Sequence, residues 1–277
     1  LLHLLWKPGA NDRVRLGATR SYRSPGLSDL LARPALSSRY PVPGPNQPTS
    51  PDRAGNPNLK PELADGIDLG YEHYLGGGGI VGVNLFHRRI RDTLRTLTTL
   101  ETVPWATTQR WVARPANVGR ATTSGLELEA KGRLDDLVPD APRIGFQANA
   151  AFFRSRVQSV PGPNNRIDEQ PKSTLNLGVD YRMRALPLAF GASWNSVPAY
   201  DTRLSQEQAS FTGRKSVLDA YALWSINDKT RLRLSVSNAA PIDTEEARSI
   251  DATTFRETST TVTETDRAWQ LRLEMKF

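Results

Sequence analysis

Cysteine is missing from the chain altogether. Disulfide frameworks, thiolate metal sites and cysteine nucleophiles are excluded with it, and redox compartment leaves no mark on the sequence. Long apolar runs are missing too. No stretch approaches the roughly 18 consecutive residues that a spanning helix needs, which excludes a helical membrane protein. Histidine is scarce, with His3, His73 and His87 the whole complement, and no Ser/His/Asp set carries the local signature of a hydrolase. Gly76–Gly79 lacks the Gly-Lys-Ser/Thr ending of a phosphate loop and reads as a flexible hairpin. No enzyme chemistry and no cofactor are therefore expected. A basic leader and cleavage site are also lacking, and Leu1-Leu2-His3-Leu4-Leu5-Trp6 reads as a strand already under way. The chain is expected to be the back part of something longer.

What the chain does have is length, charge and alternation. Its 277 residues are 38% hydrophobic and carry a formal net charge of +7. Mean hydropathy is −0.48 and the isoelectric point is about 9.8. A basic excess suits an anionic partner, whether nucleic acid or the phosphates of lipopolysaccharide. The basic residues stand singly at alternate positions, as in Arg13/Arg15 and Arg231/Arg233, which disfavours nucleic acid. The low hydropathy is compatible with a membrane barrel, because half of each spanning strand faces water and the loops are polar.

The alternation is clearest at the end. Trp269, Leu271, Leu273, Met275 and Phe277 are apolar, and Gln270, Arg272, Glu274 and Lys276 between them are polar or charged. A period of two means a strand with one greasy and one wet face. The same pattern recurs over 13–22, 66–75, 80–98, 109–133, 143–156, 172–184, from 188 to 194, over 215–226, and at 232–236. With the opening segment, this predicts about eleven strands. Their connections alternate between short (7–12, 76–79, 135–142, 185–187, 227–229) and long (about 23–65, 102–108, 198–214, 240–265). A structureless loop of that length argues against a compact soluble domain, whereas short periplasmic turns and long outer loops are the asymmetry of an outer-membrane barrel. The predicted fold class is all-β, an antiparallel transmembrane β-barrel. An odd strand count whose end strands both run toward the short turns does not close alone. The chain is therefore expected to form the C-terminal half of a larger barrel. A soluble all-β fold is disfavoured by exposed rows such as Leu175/Leu177/Val179/Tyr181. Trp105, Trp111, Trp194, Trp224 and Trp269 are expected in the interfacial girdles. Asp243, Glu245, Glu246 and Asp251 lack the ordered spacing of a calcium loop and are expected in a solvated outer loop.

Two segments frame the first long loop: Ser21-Tyr22-Arg23-Ser24-Pro25, then Gly55-Asn56-Pro57-Asn58-Leu59-Lys60-Pro61-Glu62. The prolines force extended geometry around Asn58 and on Lys60, and the asparagines suit turns that cap local backbone groups. A rigid brace from loop into strand is the expected role of Arg23, Pro25, Asn56, Pro57, Asn58, Leu59, Lys60, Pro61 and Glu62. The pair resembles the Arg-x-Pro and Asn-Pro-Asn-Leu-Lys-Pro-Glu signatures of TonB-dependent outer-membrane receptors. Leu85-Phe86-His87-Arg88-Arg89-Ile90-Arg91-Asp92, Asn117-Val118-Gly119, Ser124-Gly125-Leu126-Glu127-Leu128-Glu129, Asp219-Ala220-Tyr221 and Val236-Ser237-Asn238 are similar to later segments of that family, in order. Phe277 resembles the family's terminal barrel-assembly signal.

The resemblance implies a barrel of the 22-stranded, plugged type, of which residues 1–277 are the C-terminal part, with signal peptide, TonB-contact box and plug outside it. It implies residence in the outer membrane of a Gram-negative bacterium and uptake of a scarce nutrient, a ferric siderophore foremost. The implied partners are the TonB complex acting through the plug, the barrel-assembly machinery, lipopolysaccharide and the small ligand. Haem is disfavoured because no histidine lies between Pro25 and Asn56. The arginines Arg20, Arg33, Arg39 and Arg53 are the candidate contacts for an anionic chelate. Alternative readings are a passive pore, an adhesin translocator or a non-functional remnant of a receptor.

Overall fold

The computed structural model describes residues 1–252 and 255–276. The first strands are β1 (Leu2–Trp6), β2 (Asp12–Arg23), β3 (Asp52–Arg53), β4 (Glu62–Tyr74), β5 (Ile80–Arg91) and β6 (Leu94–Glu101). The middle of the chain contributes β7 (Arg110–Asn117), β8 (Ala121–Arg133), β9 (Ile144–Val157), β10 (Ser173–Arg182), β11 (Leu188–Val197) and β12 (Tyr200–Arg203). The last third contributes β13 (Gln208–Thr212), β14 (Lys215–Ser225), β15 (Thr230–Ser237), β16 (Thr244–Ala252), β17 (Phe255–Thr263) and β18 (Ala268–Met275).

Eleven of these strands form one antiparallel sheet, in the order β1-β2-β4-β5-β8-β9-β10-β11-β14-β15-β18. They correspond one for one to the strands expected from the alternation. The order leaves β1 and β18 as the two edges, so the sheet is open. Cross-strand partners share a face, and the register sorts the side chains cleanly. Val14, Tyr71, Val83, Leu128, Ala150 and Leu175 lie opposite one another in a row across six strands. Phe190, Ala222, Leu234 and Leu271 continue such rows to the last strand. One residue along, the other face carries Glu72, Gly82, Glu129, Asn149, Asn176 and Asn195. The apolar face is open to its surroundings, with Leu271 68% exposed and Ile67 56% exposed. That combination, an apolar outer face and a polar inner one, is what a membrane barrel wall requires.

The remaining strands correct the sequence expectation. The strand predicted over 80–98 breaks at Asp92, which sits at φ 55°, so β5 stays in the wall and β6 leaves it. The strand predicted over 109–133 breaks at Gly119, at φ 98°, and β7 leaves the wall while β8 stays. A left-handed residue cannot continue a strand. The two breaks face each other, held by Thr93 N–H to the Gly119 carbonyl and Val118 N–H to the Thr93 carbonyl, each 2.8 Å. The β6–β7 hairpin is thereby set off the wall and joins β3 in a three-stranded sheet. The segments 198–214 and 240–265, expected to be irregular, carry β12, β13, β16 and β17 as a four-stranded sheet. Their Thr-rich composition favours strands through β-branching. The long-loop side of the wall is therefore built of sheet, and the buried apolar clusters lie there: Ala54, Val103 and Val112 in one, Ala121, Val157 and Val160 in the other.

Candidate functional site

The two segments that frame the first long loop meet at the head of the wall. Arg23 and Glu62 are cross-strand partners, and Arg23 Nε lies 2.6 Å from Glu62 Oε2. The other carboxylate oxygen of Glu62 accepts from the Leu94 amide at 2.6 Å, at the root of β6. Asn56 makes a local turn by accepting from the Asn58 amide at 3.0 Å, and its Nδ2 donates to the Pro115 carbonyl at 3.2 Å. Asn117, at the end of β7, accepts from the Lys60 amide at 2.9 Å. Its own Nδ2 donates to the carbonyls of Lys60 at 3.0 Å and Asp92 at 2.7 Å. One amide side chain thus joins the octapeptide, the break at Asp92 and the end of the hairpin. Gly55 is crossed closely by residues 29–31: a Cβ there would lie 2.4 Å from the Leu31 carbonyl oxygen and 2.6 Å from that of Asp29.

Behind this junction sits a fully buried ion pair, Asp52 with Arg110. Arg110 Nε and Nη2 donate to the two carboxylate oxygens at 2.7 Å each, and Nη2 also donates to the Tyr40 carbonyl at 2.8 Å. Asp52 further accepts from the Ser37 amide and from Trp105 Nε1, both at 2.9 Å. Burial on its own would raise the Asp52 carboxyl pKa. The hydrogen bonds from Arg110, Ser37 and Trp105 outweigh it and hold that carboxyl below its usual range. A bidentate guanidinium–carboxylate pair with every lone pair used is the arrangement in which a buried charge is tolerated.

A second guanidinium, Arg95 on β6, joins this module to its neighbours. It donates to the carbonyls of Arg166 at 2.7 Å and Leu204 at 2.8 Å, and it pairs with Asp168. Burial raises the Asp168 carboxyl pKa, with the Arg95 charge opposing it. Arg166 is buried among carbonyls, to Phe153 and Pro171 at 3.0 Å, and burial lowers its pKa. Gln208 on β13 bonds the Thr98 backbone, and Trp111 packs edge-on against Phe255 at 5.6 Å. A cavity of about 320 Å³ opens at the junction, lined by Arg23, Pro25, Asp29, Arg95, Pro115 and Asp168 among others. A larger one, about 450 Å³, lies on the polar face of the wall against Arg15, Asp68, Glu72, Glu127, Glu129 and Asn149.

The expected ligand contacts lie on different elements. Arg33, Arg39 and Arg53 are exposed on the first long loop. Arg20 lies on the apolar face of β2, two residues beyond Ala18, and pairs with Asp65 at 2.6 Å. Trp194, Trp224 and Trp269 are exposed on the apolar face of the wall, as expected of a girdle. Trp105 and Trp111 are not: they pack inside the long-loop sheets, where an indole N–H finds a buried carboxylate. The acidic residues of 243–251 lie before and within β16, where Glu246 is 3.7 Å from Lys215. Phe277 lies outside the described residues. Asp52, Arg110 and Arg95 escaped sequence reasoning because nothing local marks them. Asp52 and Arg110 are 58 positions apart.

The family described as "TonB dependent receptor-like, beta-barrel" matches residues 2–239. No curated protein sequence matches the chain. Among solved structures, the siderophore receptor PirA of Acinetobacter baumannii aligns over 99% of this chain and 40% of its own, at 16% identity and a TM-score of 0.63. A variant of the ferric enterobactin receptor PfeA of Pseudomonas aeruginosa, in complex with enterobactin, aligns over 94% of this chain and 40% of its own, at 16% identity and 0.60. The FrpB iron transporter of Neisseria meningitidis aligns over 99% and 38%, at 18% identity and 0.60. The chain thus spans about 40% of the length of the structures it resembles.

Proposed function

The chain belongs to the TonB-dependent receptor β-barrel family, and from that membership we propose that it is the C-terminal barrel portion of an outer-membrane receptor for a scarce nutrient, a ferric siderophore foremost. The observation that carries the proposal is the open eleven-stranded wall with a polar inner face and a folded long-loop assembly at one end. A plug outside this chain would fill the inner face and pass on energy from the TonB complex. Arg33, Arg39 and Arg53 would meet the anionic chelate from the first long loop. No bond is made or broken; the mechanism is binding followed by rearrangement of the plug. The barrel-assembly machinery would read the alternating sequence from Trp269 to Phe277. Deleting the gene in its host should abolish uptake of one radio-iron-loaded siderophore under iron limitation, and deleting the TonB gene should do the same. Uptake that survives loss of TonB would leave a passive barrel.

The family octapeptide acts in this reading as a brace that fixes the loop assembly on the wall. Its hydrogen bonds to Asn117, Pro115 and Leu94 support that role. Substituting Asn117→Ala removes its two hydrogen bonds to the Lys60 backbone and the part-buried one to the Asp92 carbonyl, a cost of about 1–3 kcal/mol. Limited proteolysis of the full-length protein should then cut the β6–β7 hairpin about tenfold faster or more, with the wall still resistant. An unchanged cutting rate would remove the brace role.

A further inference from the structure

Among the described residues, the two long-loop sheets cover their outer edges with one exception. β3 is closed by Ala35, through reciprocal amide–carbonyl bonds with Arg53 at 2.7 and 2.9 Å. β6 is met by Gln208, whose side-chain amide exchanges hydrogen bonds with the Thr98 backbone. β12 donates from the Arg203 amide to the Asn164 carbonyl at 2.7 Å. β17 has no such cover. Its one strand neighbour is β16, its backbone bonds among the described residues run only to that strand, and residues 258–263 are exposed. An antiparallel strand paired on one side turns every second N–H and C=O outward. The free side of β17 is therefore a row of unpaired donors and acceptors about 30 Å long. The register with β16 is unbroken from Ala252↔Phe255 to Thr244↔Thr263. Between Phe255 and Thr263 there is no proline and no lysine, and Thr258, Thr260, Thr261, Val262 and Thr263 are all β-branched. Proline, lysine and bulges are the devices that ordinarily blunt an exposed edge, and β17 carries none of them.

The position of this edge identifies its partner. The wall ends in the order β14-β15-β18 and the loop sheet in the order β13-β16-β17. Because β15 leads into β16 and β17 into β18, both sheets run out on the same side. The Thr244↔Thr263 end of the β16–β17 hairpin adjoins the wall, so β17 runs toward the short turns in the same sense as β18. A wall strand laid antiparallel on β18 would climb to the long-loop end and arrive beside β17. It would be antiparallel to β17 as well, with no crossover. Resting on the reading that this chain is the C-terminal part of a larger barrel, we propose that the free edge of β17 takes a strand from the same polypeptide, the outward continuation of the wall strand that pairs with β18. The four-stranded loop sheet then gains a fifth strand and bridges the seam at which the barrel closes. Main-chain groups supply the recognition, as in other cases of strand addition. A second copy of the chain would offer the same main-chain chemistry, but only the continuing wall strand is delivered to this edge by the topology.

The test is hydrogen exchange resolved by residue on the full-length protein in detergent micelles, with β18 as the internal reference. All amides from Arg256 to Thr263 should be protected, the outward ones slowed on the order of a hundredfold relative to an open edge. A photoreactive benzoylphenylalanine in place of Thr260 should cross-link, on irradiation, to residues of the same polypeptide that precede Leu1. Protection that alternates along β17 while β18 is protected throughout overturns the proposal and leaves the larger barrel standing. A cross-link to a second copy, seen at twice the mass, or only to residues within 1–277, overturns it equally. Alternating protection along both β17 and β18 would mean that nothing closes on the wall edge, and the larger-barrel reading would fall together with the proposal.

Discussion

Replacing Arg110 by alanine should release the long-loop assembly from within while leaving the barrel wall intact. The substitution strands a fully buried Asp52 carboxylate and removes the donors that Arg110 gives to it and to the Tyr40 carbonyl. Breaking one side of a buried ion pair costs about 3–5 kcal/mol, because the remaining charge has nowhere to go. That exceeds what a small loop sheet holds in reserve, so the segment around residues 37–54 should become protease-sensitive and the fluorescence of Trp105 should shift toward that of an exposed indole. The joint substitution Asp52→Leu/Arg110→Met should restore most of the protection, since a hydrophobic replacement of similar volume avoids burying charge. If Arg110→Ala left both signals unchanged, the pair would be a bystander.

The same carboxyl sets a pH dependence with a definite sign. Asp52 has its pKa lowered in the folded loop, so it binds its proton less readily there than in the unfolded chain. Its contribution to stability is present above the ordinary carboxylate pKa of about 3.9. That contribution is lost as pH falls through the lower, folded value. Loop protection that persists at mildly acid pH and collapses only below the ordinary carboxylate range is the expected profile. In Asp52→Asn that acid step should be absent.

The wall was legible in the sequence, and the loops were not, for one physical reason. A strand between lipid and water must alternate, so Leu175 to Met183 and Trp269 to Met275 announce their faces without help. A strand with water or other protein on both sides has no such obligation. β16 and β17, with Thr258, Thr260, Thr261 and Thr263 in place of an apolar row, carry only the weaker mark of β-branching. The breaks at Asp92 and Gly119 were hidden differently. A single residue at positive φ sends the chain into a different sheet, and one backbone angle leaves no periodic signal in the sequence. Prolines and asparagines marked residues 56–62 as a rigid return into the wall, but that Asn117 receives it is a property of the fold. The buried pair of Asp52 and Arg110 was invisible for the same reason: its partners approach only once β3 lies parallel to β7.

Gly55→Val should be, after Arg110→Ala, the second most damaging single change outside the wall. Residue 55 opens the octapeptide, where its amide donates to the Leu31 carbonyl at 2.8 Å and the Asn56 amide to that of Asp29 at 2.6 Å. Any Cβ would fall within 2.4–2.8 Å of three backbone atoms of residues 29–31, and backbone, unlike the end of a long side chain, cannot step aside locally. Overpacking of this kind costs about 1–3 kcal/mol and sometimes more. Here the shift would also pull on the Gly55 carbonyl, which accepts from Arg114 at 2.6 Å, and so on Arg114's pair with Glu101. Both the 29–31 crossing and the hairpin should loosen together, seen as joint loss of hydrogen-exchange protection at residues 29–31 and 110–117 in the full-length protein. Gly55→Ala should show the same pattern at smaller amplitude. Protection lost at 29–31 alone would mean that the octapeptide does not couple the loop to the hairpin, and the brace would reduce to a local turn.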